Sequence, residues 1–148
     1  MNSRPSALEP LPPAETVLSW ARDLYLNHVD HKDARGFAAA FVEDATLRFA
    51  NAPVIRSRAS IEAAIAEFFT TFVDLRHEAK NSWLADDTLI LEATATYTRH
   101  DQRRVTIPAV TIFHLVGASA GEPPRPLADD CRIYVDLAPL YGPAPVAE

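Results

Sequence analysis

The chain has 148 residues, 48% of them hydrophobic, which suits one domain with a substantial core. Its 14 Lys and Arg against 20 Asp and Glu give a net charge of −6, which argues against nucleic acid or an anionic membrane as the main partner. No apolar run approaches the roughly 20 residues that a membrane span needs.

Prolines mark both ends of the chain. Four of them, at positions 5, 10, 12 and 13, precede the first predicted helix, and three more, at positions 139, 143 and 145, follow the last predicted strand. Proline removes a backbone donor and interrupts regular structure. We therefore expect flexible tails at 1–13 and 139–148 around a single domain at 14–138.

Three helices are expected in the first half of the chain. The first begins after Pro13 and carries Val17, Ala21 and Leu24 on one face, with Tyr25 beside them. A short second helix is expected at 33–41, and a strand at 44–50. A third helix, with Ser60 as its cap, is expected to run to about residue 72.

The second half alternates with a period of two, which predicts strands and assigns each residue to one face of a sheet. In the first of these strands, His77 and Asn81 share a face with Leu75 and Trp83, so both polar side chains should enter an otherwise apolar lining. The segments 88–99 and 103–114 predict a hairpin that turns near Asp101-Gln102. A loop at 117–126 and a last strand at 127–137 complete the pattern.

This order of elements predicts an α+β fold in which a cone-shaped, curved, mixed β-sheet is wrapped by about three N-terminal helices and encloses an apolar pocket. Several strands are apolar or uncharged on both faces. Because helices can cover only one face, the other face is expected to pack against a second copy of the chain, giving a homodimer through the outer sheet face.

Four segments carry a resemblance to a known family: residues 41–47, Leu75-Arg76-His77-Glu78, residues 97–108 and residues 132–137. Over about 17 to 140, the chain resembles the nuclear transport factor 2-like superfamily, and within it the SnoaL-like polyketide cyclase group. The resemblance implies a deep apolar pocket between the helices and the concave sheet. It does not by itself imply a reaction, since the fold serves enzymes and plain binding modules alike.

The steroid isomerases of this superfamily use a tyrosine and two aspartates, and the resemblance places these on particular positions. The tyrosine falls on Tyr25. The proton-shuttling aspartate falls on Phe49, and the acid that holds the oxyanion falls near Val110. The isomerase carboxylates are therefore missing from this chain.

The epoxide hydrolases of the superfamily use an Arg-x-Asp pair and a further aspartate. These positions fall on Thr94, Thr96 and Ile133, so this triad is missing as well. Arg99 and Asp101 form a literal Arg-x-Asp, but they lie at the hairpin turn, where an aspartate more often bonds the local backbone.

His77 is the strongest remaining candidate for chemistry, because imidazole titrates near neutral pH and its parity directs it into the pocket. The alternative is a core histidine that is bonded to a carbonyl or to Tyr25. We predict His77 and Tyr25 as catalytic residues. The predicted ligand-binding residues are Phe49, Phe68, Phe72, Asn81, Trp83, Thr94, Thr96, Val110 and Ile133.

The parity of the last strand stays open at this point. If Ile133 and Val135 face the pocket, then Arg132, Tyr134 and Asp136 face outward, and the reverse parity would place the charged set inside.

Other chemistries lack their motifs. Cys131 is the only cysteine, so no internal disulfide and no cysteine cage for a metal can form, and the cytoplasm is the expected compartment. His28 and His31 lack a third ligand at metal spacing. We expect neither a metal nor a cofactor.

The predicted function is a pocket protein for a small, apolar, carbonyl-bearing molecule. If it is an enzyme, the expected chemistry is cofactor-free proton transfer, either isomerisation or aldol-type ring closure. The alternative is a non-catalytic ligand-binding or dimerisation module.

Overall fold

A computed structural model describes residues 8–121 and 123–143, so parts of the predicted tails, residues 1–7 and 144–148, lie outside the described residues. The chain forms four α-helices and six strands in the described part: α1 (Ala14–Asp23), α2 (Ala34–Ala38), β1 (Phe41–Phe49), β2 (Ile55–Arg56), α3 (Arg58–Phe69), β3 (Asp74–Ala85), β4 (Thr88–Thr98), β5 (Arg104–Ser119), β6 (Arg125–Val135) and α4 (Ala138–Tyr141). No helix in this part is long and apolar enough to cross a membrane.

The helices bury the faces that their sequences predict. Val17 and Ala21 of α1 are buried, and the helix continues into a wider π-helical turn, Leu24–His28, and a 3₁₀ turn, Val29–His31. α3 is capped by Ser57, whose hydroxyl accepts the N–H of Ser60. The predicted cap at Ser60 is therefore wrong by one turn.

All six strands form one curved sheet in the order β2-β1-β6-β5-β4-β3. β1 and β6 are parallel and the other neighbours are antiparallel, so the sheet is mixed. The predicted α+β fold class is confirmed. The pairing of Thr98 with Arg104 also confirms the predicted hairpin turn near Asp101-Gln102.

Some boundaries differ from those expected. β1 begins at Phe41 rather than near residue 44. β5 runs to Ser119 and β6 starts at Arg125, so the loop between them is shorter than the predicted 117–126. The last residues of β5 extend beyond their expected end partly because Ala118 exchanges both backbone hydrogen bonds with Glu9.

The core lies between the helices and the inner face of the sheet. Phe41, Leu47, Ile61, Leu75 and Phe113 are at most 1% exposed. Burial of such side chains stabilises the fold by roughly 1.5 to 3 kcal/mol each. The same inner face carries the residues of the cavity described below.

A β-bulge at Lys80 reverses the alternation of β3. Ala79 pairs with Ala93, but the next paired residue, Asn81, lies opposite Glu92, so Lys80 is inserted without a partner. Trp83 therefore lies on the outer face and is 50% exposed. The prediction that Trp83 lines the pocket is wrong, because period-two counting does not anticipate the extra residue.

The register of β4 and β5 places three further predicted ligand residues outside. Leu91, Ala93, Ala95 and Tyr97 of β4 point inward, as do Ala109 and Thr111 of β5. The predicted ligand residues Thr94, Thr96 and Val110 have the opposite parity and lie on the outer face. Thr96 bonds there to Thr106, at 2.9 Å. Their predicted place in the pocket lining is wrong for this reason.

The C-terminal segment packs more closely than the predicted tail suggests. Leu140 of α4 is 3% exposed. Arg99 donates through Nη1 to the carbonyl of Gly142 at 2.7 Å and forms an ion pair with Asp101 at 3.1 Å. Arg99 and Asp101 therefore join the hairpin turn to the end of the chain.

Candidate active site

A cavity of about 370 Å³ lies between the helices and the inner face of the sheet. This volume is typical of pockets that take small molecules. Apolar side chains form most of the wall, among them Leu18, Val29, Phe37, Ile65, Phe69 and Leu91. The cavity therefore favours a largely apolar guest, and the few polar groups in its wall decide what it can do chemically.

His77 of β3 is one of these polar groups, and it is held by Asp30. The Nδ1 atom of His77 lies 2.6 Å from one carboxylate oxygen of Asp30, and the backbone N–H of His77 donates to the other oxygen at 2.9 Å. The two side chains are only 13% and 12% exposed. A carboxylate that holds both the backbone and the ring of one residue fixes the orientation of that ring.

This arrangement defines the tautomer of the imidazole. Because a carboxylate accepts, the hydrogen of the neutral ring lies on Nδ1, and Nε2 is left with its lone pair. Nε2 has no hydrogen-bond partner among residues 8–121 and 123–143, and His77 lines the cavity. An oriented imidazole with a free Nε2 can take a proton from a bound molecule and return it.

The π-helical turn after α1 brings the partners of His77 into place. The N–H of Val29 bonds to the carbonyl of Leu24, five residues earlier. This wider turn and the 3₁₀ turn after it let Tyr25 and Asp30, also five residues apart, contact the same imidazole. The rings of Tyr25 and His77 meet edge to face, with centroids 4.8 Å apart.

Tyr25 is hydrogen-bonded to the opposite side of the cavity. Its hydroxyl donates to Oγ1 of Thr111 on β5, at 3.2 Å. Burial raises the pKa of the Tyr25 phenol above its usual value of 10.0, so the hydroxyl keeps its proton at neutral pH. Thr111 is only 5% exposed and also lines the cavity.

The other predicted ligand residues do not all line the cavity. Phe49, Phe68 and Ile133 line the cavity. Phe72 does not, because it packs behind the wall, 0% exposed, against Phe68 and Tyr97.

Asn81 borders the cavity at its exposed edge, but the bulge at Lys80 gives it the parity of Trp83, so the prediction that it shares a face with His77 is wrong.

The open question about the last strand is answered by its side chains. Ile133 and Val135 line the cavity, whereas Arg132, Tyr134 and Asp136 are exposed. The charged residues of this strand therefore lie outside the cavity.

The cavity opens between the end of α1 and the edge strand β3, where its lining residues Arg22, Leu26 and Ser82 are exposed. Two glutamates also belong to the lining on this side. Glu78 is bonded to Lys80 at 2.9 Å, and Glu92 accepts from Asn81 at 2.7 Å. Both carboxylates already have partners, which leaves His77 as the best-positioned base.

Sequence reasoning missed Asp30 and Thr111. Asp30 gave no signal, because it follows the first helix among other charged residues and its partner lies 47 positions away. Thr111 shares its parity with Ile107, Phe113 and Leu115, all buried. That apolar set could have identified Thr111, but Val110 and Ile112 make the opposite face of the strand apolar as well.

The described residues offer no metal centre. Among residues 8–121 and 123–143, no group of three His, Cys, Asp or Glu side chains is arranged to hold a metal ion. Cys131 is buried as a free thiol, and burial raises its pKa. Away from the opening, where Arg22, Glu78, Asn81, Ser82 and Glu92 belong to the lining, the polar groups of the cavity wall are His77, backed by Asp30, and the hydroxyl pair of Tyr25 and Thr111.

The fold and site define a class of protein: a small α+β domain whose curved sheet and helices enclose an apolar cavity with a few inward polar groups. The sequence profile of the SnoaL-like domain matches residues 21–119. The chain belongs to this family, and the predicted resemblance is confirmed. No curated protein matches the sequence.

Solved structures share the same fold. ActVI-ORFA from Streptomyces coelicolor is similar with a TM-score of 0.66 and 24% identity, over 81% of this chain and 94% of that one. A nuclear transport factor 2-like protein from Burkholderia pseudomallei K96243 is similar with a TM-score of 0.69 and 15% identity, over 83% and 92%. SalBIII, an epoxide hydrolase/cyclase-like enzyme in pyran ring formation in the polyether salinomycin, has a TM-score of 0.66 and 18% identity, over 84% and 93%. At these identities the likeness shows the fold alone.

Proposed function

We propose that the protein catalyses cofactor-free proton transfer on a small, apolar, carbonyl-bearing molecule, as in an isomerisation or an aldol-type ring closure. His77 acts as the acid and base, and Asp30 orients it. The hydroxyl pair of Tyr25 and Thr111 stabilises the enolate oxygen that forms. The observation that carries this proposal is the Asp30-backed imidazole in the wall of an apolar cavity.

The chemistry follows from the placement of these groups. Nε2 of His77 takes a proton from a carbon next to the carbonyl, and the electron pair moves onto the carbonyl oxygen. A hydroxyl donor in a site with little water stabilises that oxygen more than it would in solution. In an isomerisation, the imidazolium returns the proton to another carbon of the enolate. In an aldol-type closure, the enolate carbon instead attacks a second carbonyl carbon of the same molecule, the electron pair of that carbonyl moves onto its oxygen, and the imidazolium gives its proton to this oxygen.

The test is deuterium exchange at the α-carbon of a small cyclic ketone, such as 1-tetralone, followed by NMR in heavy water. His77→Ala should lower the protein-dependent exchange rate by about two to four orders of magnitude, because it removes the base. His31→Ala is the matched control, since His31 is exposed and lies outside the cavity. Equal rates for the wild type and His77→Ala would remove the proposal.

A binding module is the second candidate function. It is favoured by the side chains at the positions where related enzymes carry catalytic carboxylates: Phe49 and Ile133 line the cavity but cannot ionise, and Val110 lies outside it. Ligands that raise the melting temperature without any exchange or turnover would support this alternative.

We also propose that the chain is a homodimer through the outer face of the sheet. Two cross-strand rows lie on this face: Trp83, Ile90, Ile112 and Arg132 in one, and Asn81, Glu92, Val110 and Tyr134 in the other. Trp83 is 50% and Tyr134 55% exposed. Aromatic side chains exposed on one continuous surface are typical of a protein interface, and a twofold axis would set each row against its counterpart.

A further inference from the structure

We propose that Thr111 is the residue that donates a hydrogen bond to the oxygen of the bound molecule, and that Tyr25 is a positioning residue behind it. This inference rests on the proposed function, which supplies the carbonyl oxygen. It changes the role of Tyr25, which the sequence predicted as a catalytic residue.

The number of hydroxyl protons decides which of the two hydroxyls can donate to a bound molecule. Tyr25 has one hydroxyl proton, and it points at Oγ1 of Thr111. Thr111 therefore accepts with its oxygen and keeps its own proton available. Among residues 8–121 and 123–143, no acceptor receives that proton. The pair thus offers one donor to the cavity, and this donor is the Thr111 hydroxyl.

The residues around Thr111 offer no acceptor for this proton, so it is available to a molecule in the cavity. The side chain is 5% exposed and lines the cavity, and its strand neighbours on the inner face, Ala109 and Phe113, are apolar. Its cross-strand partners, Leu91 and Ile133, are apolar too. A buried hydroxyl proton without an acceptor is unfavourable, so an acceptor atom on a guest in the cavity supplies what the wall lacks.

Tyr25 strengthens this donor. An O–H that accepts a hydrogen bond becomes a better donor itself, because the two bonds polarise each other. Since burial keeps the Tyr25 phenol protonated, this direction of donation holds across neutral pH. In the proposed reaction, the Thr111 proton stays on threonine and stabilises the negative oxygen, while His77 alone moves a proton.

The substrate class follows from one donor in an apolar wall. The Thr111 donor needs one acceptor oxygen on the guest, a carbonyl or the enolate derived from it, on a skeleton that is largely apolar. A hydrocarbon of the same shape leaves the Thr111 proton unbonded. The cavity should therefore prefer a ketone over the matching hydrocarbon.

The experiment uses 1-tetralone and tetralin, which differ in the carbonyl group alone. Calorimetry should show that the wild type binds 1-tetralone about threefold to tenfold more tightly than tetralin. The infrared carbonyl stretch of bound 1-tetralone should lie at lower frequency than in an apolar solvent. Thr111→Val keeps the shape and removes the hydroxyl, so it should abolish both the preference and the frequency shift, whereas Thr111→Ser should keep both.

Tyr25→Phe separates the two hydroxyls even if Thr111→Val does not fold. Thr111 retains its proton in this variant, so the frequency shift should become smaller but persist. Complete loss of the shift in Tyr25→Phe, or its survival in Thr111→Val, would overturn the inference and identify Tyr25 or another group as the donor. A wild type that binds neither compound, or both equally without a shift, would overturn it as well.

The variant His77→Ala distinguishes a failure of the donor assignment from a failure of the proposed function. It should abolish α-carbon exchange while leaving the carbonyl shift unchanged. If the exchange depends on His77 but the shift does not depend on Thr111, only the donor assignment fails. If the shift depends on Thr111 but His77→Ala exchanges at the wild-type rate, the donor assignment stands and the proposed catalysis fails.

Discussion

Asp30 is the residue on which the candidate site depends most. It joins the turn after α1 to β3, since its two oxygens hold the ring and the backbone of His77. Because both side chains are largely buried, this contact is less exposed to screening by salt than a surface pair. It therefore gives His77 a fixed direction and also anchors an edge strand of the sheet.

Asp30→Asn should separate these two roles. The amide oxygen can still accept the backbone N–H of His77, so the fold should persist, but the negative charge that stabilises the imidazolium is lost. We expect α-carbon exchange to fall by about tenfold to a hundredfold, with the tautomer of His77 altered in ¹⁵N NMR spectra.

Asp33→Asn is the matched control for Asp30→Asn. Asp33 forms a comparable pair with His28, at 2.8 Å, but neither of these two residues lines the cavity. Because asparagine caps a helix about as well as aspartate, Asp33→Asn should keep the cap of α2, lose the exposed ion pair with His28 and leave the exchange rate unchanged. If Asp30→Asn exchanges at the wild-type rate, Asp30 has no role beyond packing.

At the scale of elements, two irregular segments shape the cavity. The π-helical turn brings Tyr25 and Asp30 to one histidine, and the bulge at Lys80 turns the end of β3 so that Ser82 and Leu84 take the inward positions opposite Leu91 and Leu89. Such bulges commonly re-aim side chains next to a functional site. The cavity opens beside this bulge.

A second histidine joins β5, β6 and the β3–β4 turn on the outer side of the sheet. His114 of β5 lies 2.6 Å from Asp129 of β6 through Nδ1 and 3.1 Å from Asp87, in the β3–β4 turn, through Nε2. The hydrogen bond with Asp129 is the largest of the effects that raise the pKa of His114 above 6.5. The charged imidazole thus holds the two carboxylates together.

His114→Asn should therefore destabilise the protein in a pH-dependent way. Since the folded-state pKa is raised, the stabilisation is fully present below about pH 6.5 and is lost as pH rises through the folded-state pKa. All three side chains are 42% to 53% exposed, so solvent screening limits the effect to about 0.2 to 1 kcal/mol.

Urea unfolding at pH 6 and pH 9 measures this effect. The difference between the wild type and His114→Asn should be larger at pH 6, and 1 M salt should reduce it. His100→Asn provides the control, because His100 is exposed and bonds a backbone carbonyl instead of a carboxylate. A difference that grows toward pH 9 would contradict this account.

At the scale of the whole molecule, the two faces of the sheet differ in what covers them. The inner face is covered by helices and encloses the cavity. The outer face presents Trp83 and Tyr134 to solvent in the single chain. Burying these rings against a second copy is the simplest way to remove this apolar surface from water.

Tyr134→Lys tests the proposed dimer. A lysine at this position adds a charge that is costly to bury in the proposed interface, so the variant should be a monomer where the wild type is a dimer. Light scattering after size-exclusion chromatography gives the mass directly. Tyr141→Lys is the control, since Tyr141 is 53% exposed but lies on α4, away from this face. A monomeric wild type would refute the dimer.

The sequence by itself determined the class of fold, because helical and period-two patterns are local properties of the chain. The helix with Val17, Ala21 and Leu24, the hairpin near Asp101 and the inward His77 all follow from such patterns. Family resemblance then placed Tyr25 beside the cavity and showed which catalytic carboxylates are missing.

The tertiary structure alone decided which polar groups meet. Asp30 and His77 are 47 positions apart and Tyr25 and Thr111 are 86 apart, and no local pattern encodes such pairs. It also decided that Trp83, Thr94, Thr96 and Val110 face outward, through one inserted residue and one strand register. The physical reason is that periodicity assigns each residue to one of two faces of a strand. Only the packed chain determines which of these faces encloses the cavity and where a bulge reverses the alternation.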